Sequence, residues 1–177
     1  PHRMFLVPLT QREGIQDESS VADSLEFQRV KDYEDWLARL RSFPAYMEQT
    51  IALMRQGVRE RRVQPKVTMQ RLPGQIRKQI VSSPEESLYF KPFTKFPEGI
   101  PPADRDRLAQ AAKAAIQAGI VPAYRRFLAF FEDEYLPGCF DGVGAWQLPD
   151  GQAYYAMRAR QFTTTNLTPQ EIHEIGL

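Results

Sequence analysis

The chain has 177 residues, enough for one domain that buries most of its apolar surface. A formal net charge of +1 gives the whole chain no electrostatic case for nucleic acid or an anionic membrane. No apolar run approaches the ~18 residues of a membrane span, and a single cysteine, Cys139, excludes an internal disulfide.

The first residues, Pro-His-Arg-Met-Phe-Leu-Val-Pro, have too short an apolar core for a secretory signal. Position 1 is not Met, which leaves room for a removed upstream segment, a signal peptide included. Residues 1–24 read as irregular, because Gly14, Asp17, Ser19, Ser20 and Asp23 favour turns. Phe5, Leu6, Val7 and Leu9 are the residues expected to anchor this arm.

Helices are predicted next. Asp32 is a candidate cap for a helix over 32–42 carrying Trp36, Leu37 and Leu40. Ser42 and Pro44 then punctuate the chain, since proline suits a first turn and not a helix interior. Tyr46, Met47, Thr50, Ile51 and Met54 form the stripe of a second helix over 44–57, ending near Gly57.

The segment 55–78 carries Arg55, Arg59, Arg61, Arg62, Lys66, Arg71, Arg77 and Lys78 against one acid, Glu60. Two readings stand: a phosphate-binding patch, or a solvated face balanced by acids elsewhere. No aromatic residue is interleaved, so there is no stacking platform for bases. Pro65 is expected to start a helix over 65–80, kinked at Pro73-Gly74. Ser83-Pro84-Glu85-Glu86 has the form of a cap followed by first-turn acids. The run from Leu88 to Pro97 is aromatic and broken by prolines. It predicts an extended loop against helices, with a binding-groove wall as the alternative.

Pro101-Pro102 open a helix over 102–118, with Gly119 as its stop. Ile120, Tyr124, Phe127, Leu128, Phe131 and Tyr135 form the strongest stripe, placing a helix over 120–136 at the centre of the core. A glycine-rich loop follows to Gly151. Asp150 is a candidate N-cap for a helix over 151–163. Thr168, Pro169 and Glu171 make a capping box for another over 169–177. Nine residues are short for an isolated helix, which predicts that the chain is cut from a larger protein.

The chemistry is sparse. His173-Glu174 lacks the second histidine of an HExxH zinc site, because position 177 is Leu. Cys139 has few partners and reads as a partly buried loop thiol. Asp133-Glu134 read as solvated acids at a helix end. No phosphate loop and no nucleophile–base–acid set is proposed. Tyr154, Tyr155 and Arg158, with Arg160, form the best polar–aromatic cluster. Phenols orient oxyanions and arginine pairs with carboxylates. The plainer reading packs one tyrosine in the core and leaves the arginines solvated.

The run Tyr135-Leu136-Pro137, Gly144, Leu148-Pro149-Asp150-Gly151, Tyr154-Tyr155, Arg158, Thr163-Thr164-Thr165 and Leu167 to Leu177 resembles the bacterial DUF 885 family (domain of unknown function 885). Asp32-Tyr33-Glu34, Arg39-Leu40 and Phe43-Pro44 match more loosely. The resemblance implies a mostly helical, zinc-metallopeptidase-like group of exported proteins, often lipoproteins. The metal site it implies, a His-Glu motif with a later Pro-Gly-His-His type sequence, lies beyond this stretch and transfers no ligand to it. It leaves Tyr154, Tyr155 and Arg158 as substrate-cleft candidates, with zinc and peptide substrate expected only in the parent.

The expectation is an all-α, irregular helical bundle with long proline-rich loops and little or no sheet. It is one domain over 1–177, the N-terminal fragment of a larger protein, with no catalytic or metal-binding residue of its own. Its partner is the rest of the parent chain, and its location is exported, periplasmic or lipoprotein-anchored. A stand-alone helical protein-binding or scaffold module is the alternative. A nucleic-acid binder using residues 55–78 is the third class.

Overall fold

The computed structural model describes residues 2–177 and shows an all-α bundle, with no strand among those residues. The nearest approach to a sheet is one bridge, where the Lys66 N–H donates to the Phe140 carbonyl at 2.9 Å.

Helix α1 spans Val30–Arg59 as one element, where a break at Ser42–Pro44 was expected. Leu40, Phe43 and Met47 all face the core around Pro44, so tertiary packing holds the axis through the missing amide. The Pro44 ring lies on Gly119, where an added Cβ would sit 3.3 Å from Pro44 Cγ. Asp32 does stabilise the start of α1, but from inside the first turn. Its carboxylate accepts the Gln28 and Arg29 amides at 3.0 and 2.8 Å. Ser42 is no cap; its hydroxyl donates back to the Arg39 carbonyl.

The predicted helices over 102–118 and 120–136 also merge. Helix α4, Pro102–Ala115, passes through a π-turn at Ile116–Ile120 into α5, Val121–Phe130. A second π-turn at Phe131–Tyr135 leads into α6, Leu136–Gly138. A π-turn accommodates an extra residue without ending the helix. Gly119 therefore lies inside a turn and does not stop the chain. Pro122 lies inside this continuous rod, two residues past the first π-turn, where it removes one interior helix donor.

Helix α1 and the α4–α6 rod run side by side in the same direction. Arg107 pairs with Glu34, Arg126 with Glu48, and Arg55 with Glu134, in rising order along both. Residues 60–101 carry the chain back. They hold α2, Lys66–Met69, and α3, Leu72–Arg77, divided at Gln70-Arg71 and not at Pro73-Gly74. Short 3-10 segments follow at Pro84–Glu86 and Leu88–Phe93, the second replacing the expected extended loop. The first 24 residues also wind into 3-10 turns at Met4–Leu6 and Ile15–Ser24.

The core forms as the stripe predicts. Ile120, Tyr124, Phe127, Phe131 and Tyr135 are fully buried, each such side chain contributing ~1.5–3 kcal/mol. A polar thread crosses it. The Tyr89 and Tyr124 hydroxyls meet at 2.7 Å, and Tyr124 donates to the Ile15 carbonyl at 2.7 Å. Leu6 and Leu9 anchor the N-terminal arm, while Phe5 stays exposed.

Two helices stand outside this core. Helix α7, Gly151–Thr163, and α8, Pro169–Ile175, form a projecting arm. Among their residues only Gly151 is buried. The capping box of α8 forms as predicted. The Thr168 hydroxyl accepts the Glu171 amide at 3.2 Å, and the Glu171 carboxylate accepts the Thr168 amide at 2.7 Å.

Candidate functional site

The densest polar cluster sits where the arm meets the bundle, and it is built around Asp150. This residue holds the N-cap position of α7, but its carboxylate caps no amide. Asp150 Oδ1 accepts from Arg62 Nη1 at 2.7 Å, and Oδ2 lies 2.7 Å from His2 Nδ1. Arg62 Nη1 also donates to the His2 carbonyl at 2.7 Å. Tyr154, one turn into α7, packs edge-on against the His2 ring with centroids 5.5 Å apart. Arg3 and Glu60 add an ion pair at 2.8 Å beside the cluster.

Each participant is placed by a local feature. Arg62 follows the end of α1, where Arg61 takes a left-handed conformation (φ 55°). That turn places the Arg62 amide on the Gly57 carbonyl at 2.8 Å. Gly57 permits the close approach: an added Cβ would lie 2.7 Å from both the Arg62 and Leu6 carbonyl oxygens. Gly151 does the same for α7, since a Cβ there would lie 1.8 Å from the Ala145 carbonyl oxygen. A cavity of about 370 Å³ opens beside Asp150, walled by Trp146, Leu148 and Gln152.

Arg62, then His2, holds the Asp150 carboxyl at about 2, well below the ordinary carboxylate value. The group is therefore charged at neutral pH and is no proton donor there. Because the carboxylate is an acceptor, His2 Nδ1 carries the proton toward it. Both oxygens of Asp150 are committed to joining three parts of the chain. The chemistry is that of a clasp.

Of the sequence-derived site residues, only Tyr154 enters this cluster. Neither tyrosine of the pair is in the core, contrary to the plainer expectation. Tyr155 is exposed. Arg158 donates to the Gln161 side chain at 2.9 Å and lies over the Phe162 ring at 4.5 Å. His2 and Arg62 were not foreseen: they lie 148 and 88 residues from Asp150, and no local pattern links them.

The remaining candidates resolve as packing or surface charge. Burial pushes the Cys139 thiol up to about 12, so it is a poor nucleophile. Glu134 makes a two-point pair with Arg55 at 2.5 and 2.6 Å. Within the basic segment, Arg55, Arg62, Lys66 and Arg77 all pair with acids from elsewhere in the chain, which supports the solvated-face reading. His173 and Glu174 are exposed on α8. Among the described residues no group of three or more His, Cys, Asp or Glu is placed to hold a metal ion, so these side chains do not fit a zinc site.

Fold and clasp together define an all-helical domain carrying a projecting two-helix arm. The family model described as "Bacterial protein of unknown function (DUF885)" matches residues 4–177, and the chain belongs to that family. No curated protein matches it at a significant level. Among solved structures it is similar to the "putative lipoprotein" from Colwellia psychrerythraea, with a TM-score of 0.82 at 23% identity. That match covers 96% of this chain and 30% of the other, so the chain spans less than a third of that protein's length. The likeness establishes a shared fold.

Proposed function

We propose that this chain is the helical, non-catalytic portion of a longer exported protein whose catalytic part is zinc-metallopeptidase-like. The observation that carries the reading is the arm. Helices α7 and α8 bury only Gly151 and hold Tyr155, Phe162 and Ile175 at 55%, 74% and 73% exposure. The solved relative has more than twice as much chain again outside the shared part, and in this reading part of such a remainder covers the arm.

In this reading the clasp fixes the root of α7, and the rest of the protein packs over the arm. Tyr154, Tyr155 and Arg158 then border the seam and line the substrate cleft. Arginine suits a peptide carboxylate there, and phenols suit its carbonyls. Zinc is assigned to the remainder in this reading from the family resemblance, which puts the metal motif beyond this stretch. Export, with or without a lipid anchor, is proposed from the lipoprotein description of the structural relative.

The same uncovered arm equally suits a stand-alone scaffold module that docks a separate protein. Amide exchange separates the two readings. The reading frame continuing past Leu177 is expressed with its downstream part, and exchange across α7–α8 is compared with that of residues 1–177 alone. Strong protection in the longer chain supports the proposal. Equal, fast exchange in both, or a frame that ends at Leu177, overturns it.

A further inference from the structure

A cavity of about 540 Å³ lies on the opposite side of the sequence from the arm, between the end of the Ile15–Ser24 turns, the start of α1 and the Leu88–Phe93 run with its continuation. Its walls are aromatic. Tyr33 is flanked by Phe27 and Phe96, with ring centroids 5.1 and 4.9 Å away. Tyr33 packs against both rings, so what the cavity offers an apolar group is a wall of Phe27, Pro92, Phe96 and Pro97.

The buried tyrosine hydroxyls of the fold are unevenly satisfied, and Tyr33 is the one that lines the cavity. Four tyrosines are fully buried: Tyr33, Tyr89, Tyr124 and Tyr135. Three have hydroxyl partners: Tyr89 with Tyr124 at 2.7 Å, Tyr124 with the Ile15 carbonyl, and Tyr135, which accepts the Gln64 amide at 3.4 Å. Tyr33 is 1% exposed, and its hydroxyl has no hydrogen-bond partner among the described residues. A buried phenol normally finds one. Its hydroxyl also keeps a trace of access, since it is absent from the fully sealed, unpaired atoms. Burial raises the Tyr33 phenol pKa, so at neutral pH it is a donor.

Charge gives the sign of the missing partner. Lys91 and Asp23 on the cavity wall neutralise each other as an ion pair. Lys95 lines the same cavity with no acidic partner among the described residues. The net wall charge is therefore that of Lys95. An unpaired phenol donor and an unpaired ammonium beside an apolar wall are complementary to one chemical group, a carboxylate on an apolar body.

We propose that this cavity binds an apolar carboxylate, its ring or branched side chain against the wall of Phe27, Pro92 and Phe96 and its carboxylate on Tyr33 and Lys95. The same chemistry is offered by a free aromatic acid and by the C-terminus of a peptide ending in an apolar residue. The site stands independently of the function proposed above, because none of its residues belongs to the arm or the clasp.

The test is a titration of the isotope-labelled chain, followed by amide and aromatic NMR shifts. The probes are N-acetylphenylalanine and its uncharged amide, each up to about ten times an expected Kd on the order of 1 mM for so small a ligand. Shifts confined to Phe27, Tyr33, Lys95 and Phe96 with the acid, and at least tenfold weaker binding of the amide, are expected. Lys95→Gln and Tyr33→Phe each weaken the acid by about tenfold, as loss of a charge-assisted hydrogen bond does. Both variants keep the wild-type melting temperature, because Lys95 is exposed and the Tyr33 hydroxyl has no internal partner. Gly-Gly-Phe binding as well as the acid assigns the site to peptide ends; its failure beside a binding acid assigns it to free acids. No shifts at these residues, equal binding of the amide, or unchanged affinity in both variants overturns the proposal.

Discussion

Asp150 Oδ1 and Arg62 Nη1 meet at 2.7 Å across 88 residues, and this contact ties the projecting arm to the end of the longest helix. The pairing predicts a pH response. The Asp150 carboxyl is held at about 2 in the folded chain, below its ordinary 3.8. A carboxyl depressed on folding adds stability that is complete above its unfolded value and disappears as pH falls through the folded one. The arm root should therefore loosen between about pH 4 and pH 2, while the core, held by apolar burial, persists. Amide exchange across Gln152–Met157 is the measurement. The loss of protection expected in acid, measured against the intrinsic exchange rate at each pH, should appear at neutral pH in Arg62→Ala, and protection unchanged in that variant would refute the clasp.

Gly151→Ala tests the same junction sterically. Its Cβ would lie 1.8 Å from the Ala145 carbonyl oxygen, and backbone must move to admit it. A cost of about 2 kcal/mol is expected, roughly 4–8 °C in melting temperature for a chain of this size. The exposed Ala153→Gly would shift it far less. A wild-type melting temperature for Gly151→Ala would show that the loop 139–150 is not held as described.

The two buried tyrosines Tyr124 and Tyr33 should respond unequally to loss of a hydroxyl. Tyr124→Phe strands the Ile15 carbonyl and the Tyr89 hydroxyl, at a cost of about 1–3 kcal/mol. Tyr33→Phe strands nothing and should be close to neutral. Denaturant midpoints compare them directly, and equal losses would contradict the hydrogen-bond assignment.

Cys139 should resist alkylation. With its thiol pushed up to about 12 by burial, roughly one in ten thousand is ionised at pH 8. Iodoacetamide should label it slowly in the folded chain and rapidly in denaturant. Comparable rates in both would place the thiol at the surface.

The helical content and the central stripe were legible in the sequence because both follow from local spacing. The α8 capping box was legible for the same reason. The breaks were not. Pro44 and Gly119 each signal an end locally, yet they pack against one another inside two continuous rods, and tertiary contact overrides the local signal. Asp150 shows the same limit at the site. Its position before α7 reads as a cap, but its carboxylate is used by Arg62 and His2. The unpartnered Tyr33 hydroxyl is visible only once the other tyrosines are seen to be satisfied.

The proposed role, a non-catalytic and metal-free part of a larger protein, has a direct test. Purified residues 1–177 and the longer chain should be compared by elemental analysis for zinc and by hydrolysis of a mixed peptide pool. No stoichiometric zinc and no hydrolysis are expected in residues 1–177, with both present in the longer chain. One zinc per chain in residues 1–177, or hydrolysis there that a chelator abolishes, would contradict it.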